Sequence, residues 1–260
     1  MKRLGVFLVL LSIAMISCSD ESNEGDIILN LKAVFDGEPL IVNTGSYEYA
    51  DGKIITFSKL TLYLSDINLI KNNGDREEIN DIAFIDWTET NRDLAGAEAG
   101  VEIRKTIPTG KYKGIEFGIG VAPDLNAMEP GDFSNDHPLA QAGQYWTVWN
   151  SFIFSKTEGK YDADDDGQPE LGFAYHLGSD LLYREFDSET ATGSMSLDIS
   201  GDGSDAVNLS IDFRELFDDQ AGGAIDISAT PSFHNPADPD QQVVGVLMAD
   251  NYKKAMSIDQ

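Results

Sequence analysis

Short apolar runs of strand length, parted by turn residues, recur along most of the chain. Ile27, Leu29, Leu31 and Ala33 alternate with polar neighbours, as the buried face of a half-buried strand does. Residues 54–57 and 59–70 continue the theme, with Leu60, Leu62 and Leu64 alternating and Asn72-Asn73-Gly74-Asp75 reading as a hairpin turn. Further strands are predicted at 83–87, 101–107, 115–121, 173–177, 193–199 and 207–213, with Pro108-Thr109-Gly110 turning between two of them. A long loop rich in Pro, Asp and Gly, residues 122–143, precedes an aromatic segment at 145–154. Helical signals are confined to a short piece at 214–218 and a terminal helix at 242–256. Strands at this spacing with no helices alternating between them predict an all-β fold. The expected form is an antiparallel β-sandwich with long loops and a short C-terminal helix. No internal repeat or later linker interrupts residues 26–260, which read as one domain.

The N-terminus follows a different rule. Met1-Lys2-Arg3 is positive, and the apolar run 4–16 is too short to span a membrane but fits the central region of a signal peptide. It ends in Met15-Ile16-Ser17-Cys18, a small residue before the only Cys, which resembles the lipobox cut by signal peptidase II. Residues 1–17 are then a leader, Cys18 carries a lipid, and residues 18–25 form a polar tether. The other reading is an ordinary leader with an unmodified Cys. The lipobox predicts a membrane-anchored lipoprotein outside the cytoplasm, on the periplasmic or cell-surface face of a membrane such as the outer membrane.

Composition narrows the chemistry. Of 260 residues, 45 are Asp or Glu and 18 are Lys or Arg, for a net charge of -27, which argues against nucleic acid because phosphate binding needs a basic face. One Cys leaves no disulfide framework, thiolate zinc site or Cys-ligated cluster. Any metal must be held by oxygen and imidazole.

Oxygen ligands gather at Tyr161-Asp162-Ala163-Asp164-Asp165-Asp166-Gly167-Gln168-Pro169-Glu170. Asp162, Asp164, Asp166 and Gly167 match positions 1, 3, 5 and 6 of a calcium loop, and Gln168 offers its backbone carbonyl. Position 12 is Phe173 rather than Glu, so Glu170 is the expected substitute, in a hairpin loop without flanking helices. The alternative is an Asp-rich turn that stays solvated. A weaker run of the same spacing lies at 198–205, where Gly, Asp and Ser also make an ordinary turn.

Imidazole comes from three residues: His137 in Asn-Asp-His-Pro-Leu, His176 in Tyr-His-Leu-Gly-Ser and His234 in Phe-His-Asn-Pro. Imidazole suits copper, zinc or nickel, yet no His-x-His or His-Glu-x-x-His spacing is present, so hydrogen-bonded structural roles stay open. Read as one regular strand, the aromatic segment puts Trp146 and Trp149 on opposite faces.

The order of several segments resembles the MbnP-like copper-binding proteins, a group that includes copper proteins of methanotrophs. The matching pieces are Phe57-Ser58-Lys59-Leu60-Thr61-Leu62-Tyr63-Leu64-Ser65-Asp66-Ile67, then Ile107-Pro108-Thr109-Gly110-Lys111-Tyr112 with Phe117-Gly118-Ile119-Gly120-Val121. The His137 loop, the aromatic block 143–154, Tyr175-His176-Leu177-Gly178-Ser179 and Ala249-Asp250-Asn251-Tyr252 follow in order. The resemblance implies a β-rich domain that binds copper through histidines beside a tryptophan oxidised to kynurenine by a di-haem partner of the MauG and cytochrome c peroxidase type. By position it implies His176 and His137 as ligands, His234 as a third, and Trp146 as the modified residue. The family pattern W-x-W is spaced differently here, so Trp149 stays a second candidate for modification.

A lipid-anchored copper protein for acquisition, storage or handover is therefore expected, with no catalysis of its own. The alternative is a calcium-stabilised β-sandwich lipoprotein that docks to an outer-membrane transporter and holds no transition metal. No G-x-S-x-G elbow, P-loop or dinucleotide fingerprint points to an enzyme.

Overall fold

The computed structural model describes residues 23–50, 52–191, 195–201, 204–235 and 237–259. The leader, Cys18, tether residues 19–22 and, within the second acidic run, Asp202 and Gly203 lie outside them. The alternation at the N-terminus is realised as β1 (Glu24–Phe35), which begins two residues inside the stretch read as tether and buries every second side chain. β1 is the hub of the smaller sheet. It pairs with β2 (Glu38–Pro39), β6 (Val101–Pro108) and β13 (Ser204–Asp212), and β13 carries β15 (Met256–Asp259) at its other edge.

Among the described residues, the larger sheet has ten strands. Its main path is β11 (Arg184–Asp187), β7 (Gly110–Ile119), β4 (Ile54–Lys71), β9 (Ser151–Tyr161), β10 (Leu171–Gly178) and β14 (Ser232–Phe233). β3 (Tyr47–Glu48) and β5 (Arg76–Asp86) pair with β4, β8 (Tyr145–Trp146) with β9, and β12 (Leu197–Ile199) with β7. The two predicted strands at 54–57 and 59–70 are one strand, β4, whose register against β9 slips between Phe57 and Lys59. One edge of β4 is divided, with Ile55–Leu62 paired to β9 and Leu64–Lys71 to β7.

The fold is the predicted all-β sandwich, with two exceptions to antiparallel pairing. β1 with β13, and β10 with β14, run parallel. The C-terminal helix spans Pro239–Ala255, and Asp238 caps it by accepting from the backbone N–H of Asp240 and Gln241. No helix among the described residues is long and apolar enough to cross a membrane.

Between the sheets, Ile27, Leu29 and Leu31 of β1 meet Phe57, Leu62, Trp87 and, from the helix, Met248 and Tyr252. Trp87 donates its Nε1–H to the carbonyl of Leu31 at 3.0 Å, which satisfies the one polar atom of a fully buried ring. A second cluster of Tyr63, Ile82, Val121, Leu139, Phe152 and Phe154 covers the other face of the larger sheet. Hence residues 60–65 of β4 are buried on both faces. The 122–143 loop closes over this cluster, tied down where the Tyr63 hydroxyl donates to the Pro138 carbonyl at 2.9 Å.

Candidate metal centre

The outward side chains of β10 begin the site. Phe173, Tyr175 and Leu177 point into the core, so His176 faces the other way. β14 lies alongside in parallel, with Ala174 opposite Ser232 and Tyr175 opposite Phe233. One more step of that register sets His234 beside His176 on the outer face. Their rings meet with centroids 4.6 Å apart and planes at 88°.

Trp146 closes the group, and it does so because residues 145–154 are not one strand. β8 turns through residues 147–150 into β9 as a tight hairpin, with Tyr145 opposite Phe152 and Trp146 opposite Ser151. The Trp149 N–H donates to the Trp146 carbonyl at 3.1 Å, and Asn150 takes the left-handed backbone (φ 51°) that Asn tolerates. The predicted separation of the two tryptophans onto opposite faces is thereby corrected: the turn folds Trp149 back edge-to-face on Trp146. Tyr145 packs inward on Phe152, while the Trp146 ring lies 5.7 Å from His176 and 5.6 Å from His234. A shallow cavity of about 280 Å³ opens there, lined by Tyr145, Trp146, Thr147, Val148, Trp149 and His234.

Buried polar residues fasten these pieces. Asn126 Oδ1 accepts from Ser151 Oγ (3.1 Å) and from the Phe152 N–H (2.9 Å), and its Nδ2 donates to Asp180. The Ser179 N–H donates to Ser151 Oγ, joining the end of β10 to the tryptophan hairpin. On the other side, Gln241 Oε1 accepts the backbone N–H groups of His234 and Asn235.

Burial in the centre is uneven: His176 is withdrawn from solvent, Trp146 is half-buried and His234 is exposed. His176 is only 14% exposed, and burial, aided by nearby His234, pushes its pKa down to about 4 against a raising contact with Glu158. Burial also lowers His234. Glu158 Oε1 lies 2.7 Å from His176 Nε2, while His176 Nδ1 is buried without a hydrogen-bond partner. Leaving such an atom unsatisfied costs about 1–3 kcal/mol. An imidazole with a buried, unpartnered nitrogen beside a second imidazole fits a borderline-soft cation such as copper.

His137 lies apart from this pair. It caps a short 3-10 turn at Pro138–Ala140, its Nδ1 accepting from the Leu139 N–H at 3.1 Å, and its ring stacks on Phe133 at 4.4 Å. No ring contact joins it to His176 or His234 among the described residues.

The acidic loop joins β9 to β10, at the far end of the hairpin that carries His176. One ligand atom from each of Asp162, Asp164, Asp166 and Glu170 lies within 4.8 Å of the others. Asp162 is buried and accepts from the backbone N–H of Asp166 and Gly167. Glu170 reaches back to accept from the Ala163 N–H, and Gln168 donates its backbone N–H to Asp166. In the second acidic run, Asp198 lies 3.8 Å from Lys111 across an exposed pair.

The MbnP family profile matches residues 24–235. The chain belongs to the MbnP family. The family match takes in all three histidines, both hairpin tryptophans and the acidic loop, and stops short of the C-terminal helix. Among solved structures, MbnP from Methylosinus trichosporium aligns over 91% of this chain and 99% of its own, with a TM-score of 0.56 and 14% identity. At that identity the likeness is one of fold. No curated protein matches the chain. Within this MbnP-family chain, Glu158, Asn126, Ser151 and Gln241 support the centre but carry no motif. Glu158 is one of 45 acidic residues, and nothing local in the sequence singles it out.

Proposed function

We propose that this chain is a lipid-anchored, extracytoplasmic copper-binding protein that acquires, stores or hands over the metal. The observation that carries the reading is the His176–His234 pair closed by Trp146, with Nδ1 of His176 buried and bare. Two imidazoles supply the first two ligands, and the Trp146 and Trp149 rings cover one side of the pair. Membership of the MbnP family supports copper as the cargo. Attachment rests on a lipid at Cys18.

Trp146 offers no ligand as an indole, whose nitrogen only donates. A di-haem partner of the MauG or cytochrome c peroxidase type would convert it to kynurenine with peroxide as oxidant. Two peroxides, four electrons in all, break the indole C2–C3 bond to give N-formylkynurenine and two waters, and one water then hydrolyses the N-formyl group so that C2 leaves as formate. An aryl amine and a carbonyl then stand beside both histidines. The partly exposed position of Trp146 and the projecting Val148, which is 91% exposed, give such a partner access.

A second reading has its own observation, the converging carboxylates of Asp162, Asp164, Asp166 and Glu170. They favour a structural calcium. If calcium were the sole metal, the protein would be a calcium-stabilised interaction lipoprotein that docks to an outer-membrane transporter. Copper and calcium contents of the native, unchelated protein, measured together by mass spectrometry, decide between them. The copper reading expects copper near stoichiometric with the chain and lost from a His176→Ala, His234→Ala double variant. Calcium without copper, under both reducing and oxidising conditions, sinks it.

A further inference from the structure

We infer that Glu158 selects the nitrogen through which His176 binds metal: its carboxylate takes the Nε2–H, leaving Nδ1 as the ligating lone pair. The inference rests on the copper reading and adds to it a positioning residue. Glu158 sits on β9 opposite Ala174, and His176 on β10 opposite Lys156, so the two are diagonal neighbours on one face. That diagonal is within reach of a long side chain. The 2.7 Å contact runs between Glu158 Oε1 and His176 Nε2.

A carboxylate has no hydrogen to give, so the proton of the neutral ring belongs on Nε2. The other nitrogen must then present a lone pair. Nδ1 is the atom that is buried and has no partner. The ring's neighbours are Trp146 and His234, the groups that make up the centre. Two further contacts keep this arrangement in place. Lys156, directly opposite His176, is drawn away to the Gly143 carbonyl at 2.6 Å. Lys59, directly opposite Glu158, pairs with Asp86 at 3.5 Å. Glu158 thus orients and fixes the tautomer of a ligand, as carboxylates behind metal-bound histidines do.

The decisive measurement is the two-bond ¹⁵N–¹H correlation spectrum of the metal-free wild-type protein, which distinguishes the two tautomers of His176. The expected pattern is a protonated Nε2 and a bare Nδ1. A protonated Nδ1 overturns the inference without reference to any variant. Copper titrations then test the consequence. Glu158→Ala is expected to lose the fixed tautomer and to bind copper 10–100-fold more weakly. Glu158→Gln, whose amide oxygen can still accept from Nε2–H, is expected to restore most of both. Equal copper affinity in wild type and Glu158→Ala overturns the inference. So does X-ray absorption showing an oxygen ligand that vanishes with Glu158, because the carboxylate would then be a ligand itself. If the wild type has the expected tautomer yet binds no copper, the function proposed above fails, and Nδ1 ligation fails with it.

Discussion

The β9–β10 hairpin carries two candidate metal sites of opposite construction. At its turn, Asp162, Asp164, Asp166 and Glu170 come from nine consecutive residues, and Asp162, Asp166 and Glu170 accept backbone N–H groups of the same loop. Along its strand, His176 meets His234 from a parallel neighbour and Trp146 from another hairpin, so three distant segments build one group. The first is local, acidic and mostly exposed; the second is non-local, built on imidazoles and anchored on the largely buried His176. Hard cations suit the first and borderline ones the second. A local loop can form its site whenever the hairpin forms, whereas the imidazole pair exists only when the whole sandwich is assembled.

The strongest way to break this contrast is to cross the variants. His234→Ala is expected to weaken copper binding by more than about 100-fold, beyond the 10–100-fold typical of residues behind the ligands, and to leave calcium unchanged. Asp166→Asn is expected to do the reverse. Isothermal titration of both metals into both variants checks it, and a variant that loses both metals would show the sites to be one cooperative unit.

That division also explains what could be read before the structure. β1 was legible because it is half-buried and alternates cleanly, and the acidic loop because its chemistry is contiguous. β4 reads as two strands because its register slips between Phe57 and Lys59, which puts Phe57 and Leu60 out of step in the sequence although both are buried. The histidines stood out by scarcity, but their pairing depends on β14, two residues long and parallel to β10, which no periodicity can signal. The tryptophan hairpin was hidden by β-favouring residues on both sides of its turn. Asn126 and Glu158 were invisible because nothing local distinguishes a buried Asn or a bridging Glu from the many exposed ones.

Calcium removal comes next in expected size. With free calcium at about 100 times its dissociation constant, binding stabilises the fold by about 2.7 kcal/mol. A domain of this size shifts by about 2–4 °C per kcal/mol, so a chelator should lower the Tm by roughly 5–10 °C. The Asp162→Asn variant should lack that response. An unchanged Tm on chelation would make the loop an ordinary solvated turn and leave the imidazole pair as the sole metal centre.

Asn126→Ala probes the framework behind the imidazole site. It strips the acceptor from Ser151 and from the Phe152 N–H, both buried, at a cost of about 1–3 kcal/mol by denaturant unfolding. Because the Trp146 hairpin hangs from this network, copper affinity should drop while calcium affinity holds. Equal losses at both sites would mean the variant merely loosens the whole sheet.

The smallest effect is the acid limb of the metal-free protein. His176 is held down at about 4 chiefly by burial, against an ordinary value of 6.5. The unfolded chain therefore takes up the proton first, and protonation favours unfolding. Stability from this group is complete above pH 6.5, falls as pH drops, and levels off below about pH 4. Between about pH 6.5 and about pH 5.5, before most carboxylates take up protons, linkage gives a loss of about 1 kcal/mol. His234 is shifted in the same direction and adds to the slope. A His176→Gln variant should show a shallower limb over that window, measured as denaturant midpoints at matched ionic strength. Copper, which needs the bare ring, should flatten the wild-type limb as well until protons displace it. Parallel limbs in wild type and variant would mean that His176 titrates as it does in water, and the buried anchor that sets this centre apart from the acidic loop would be gone.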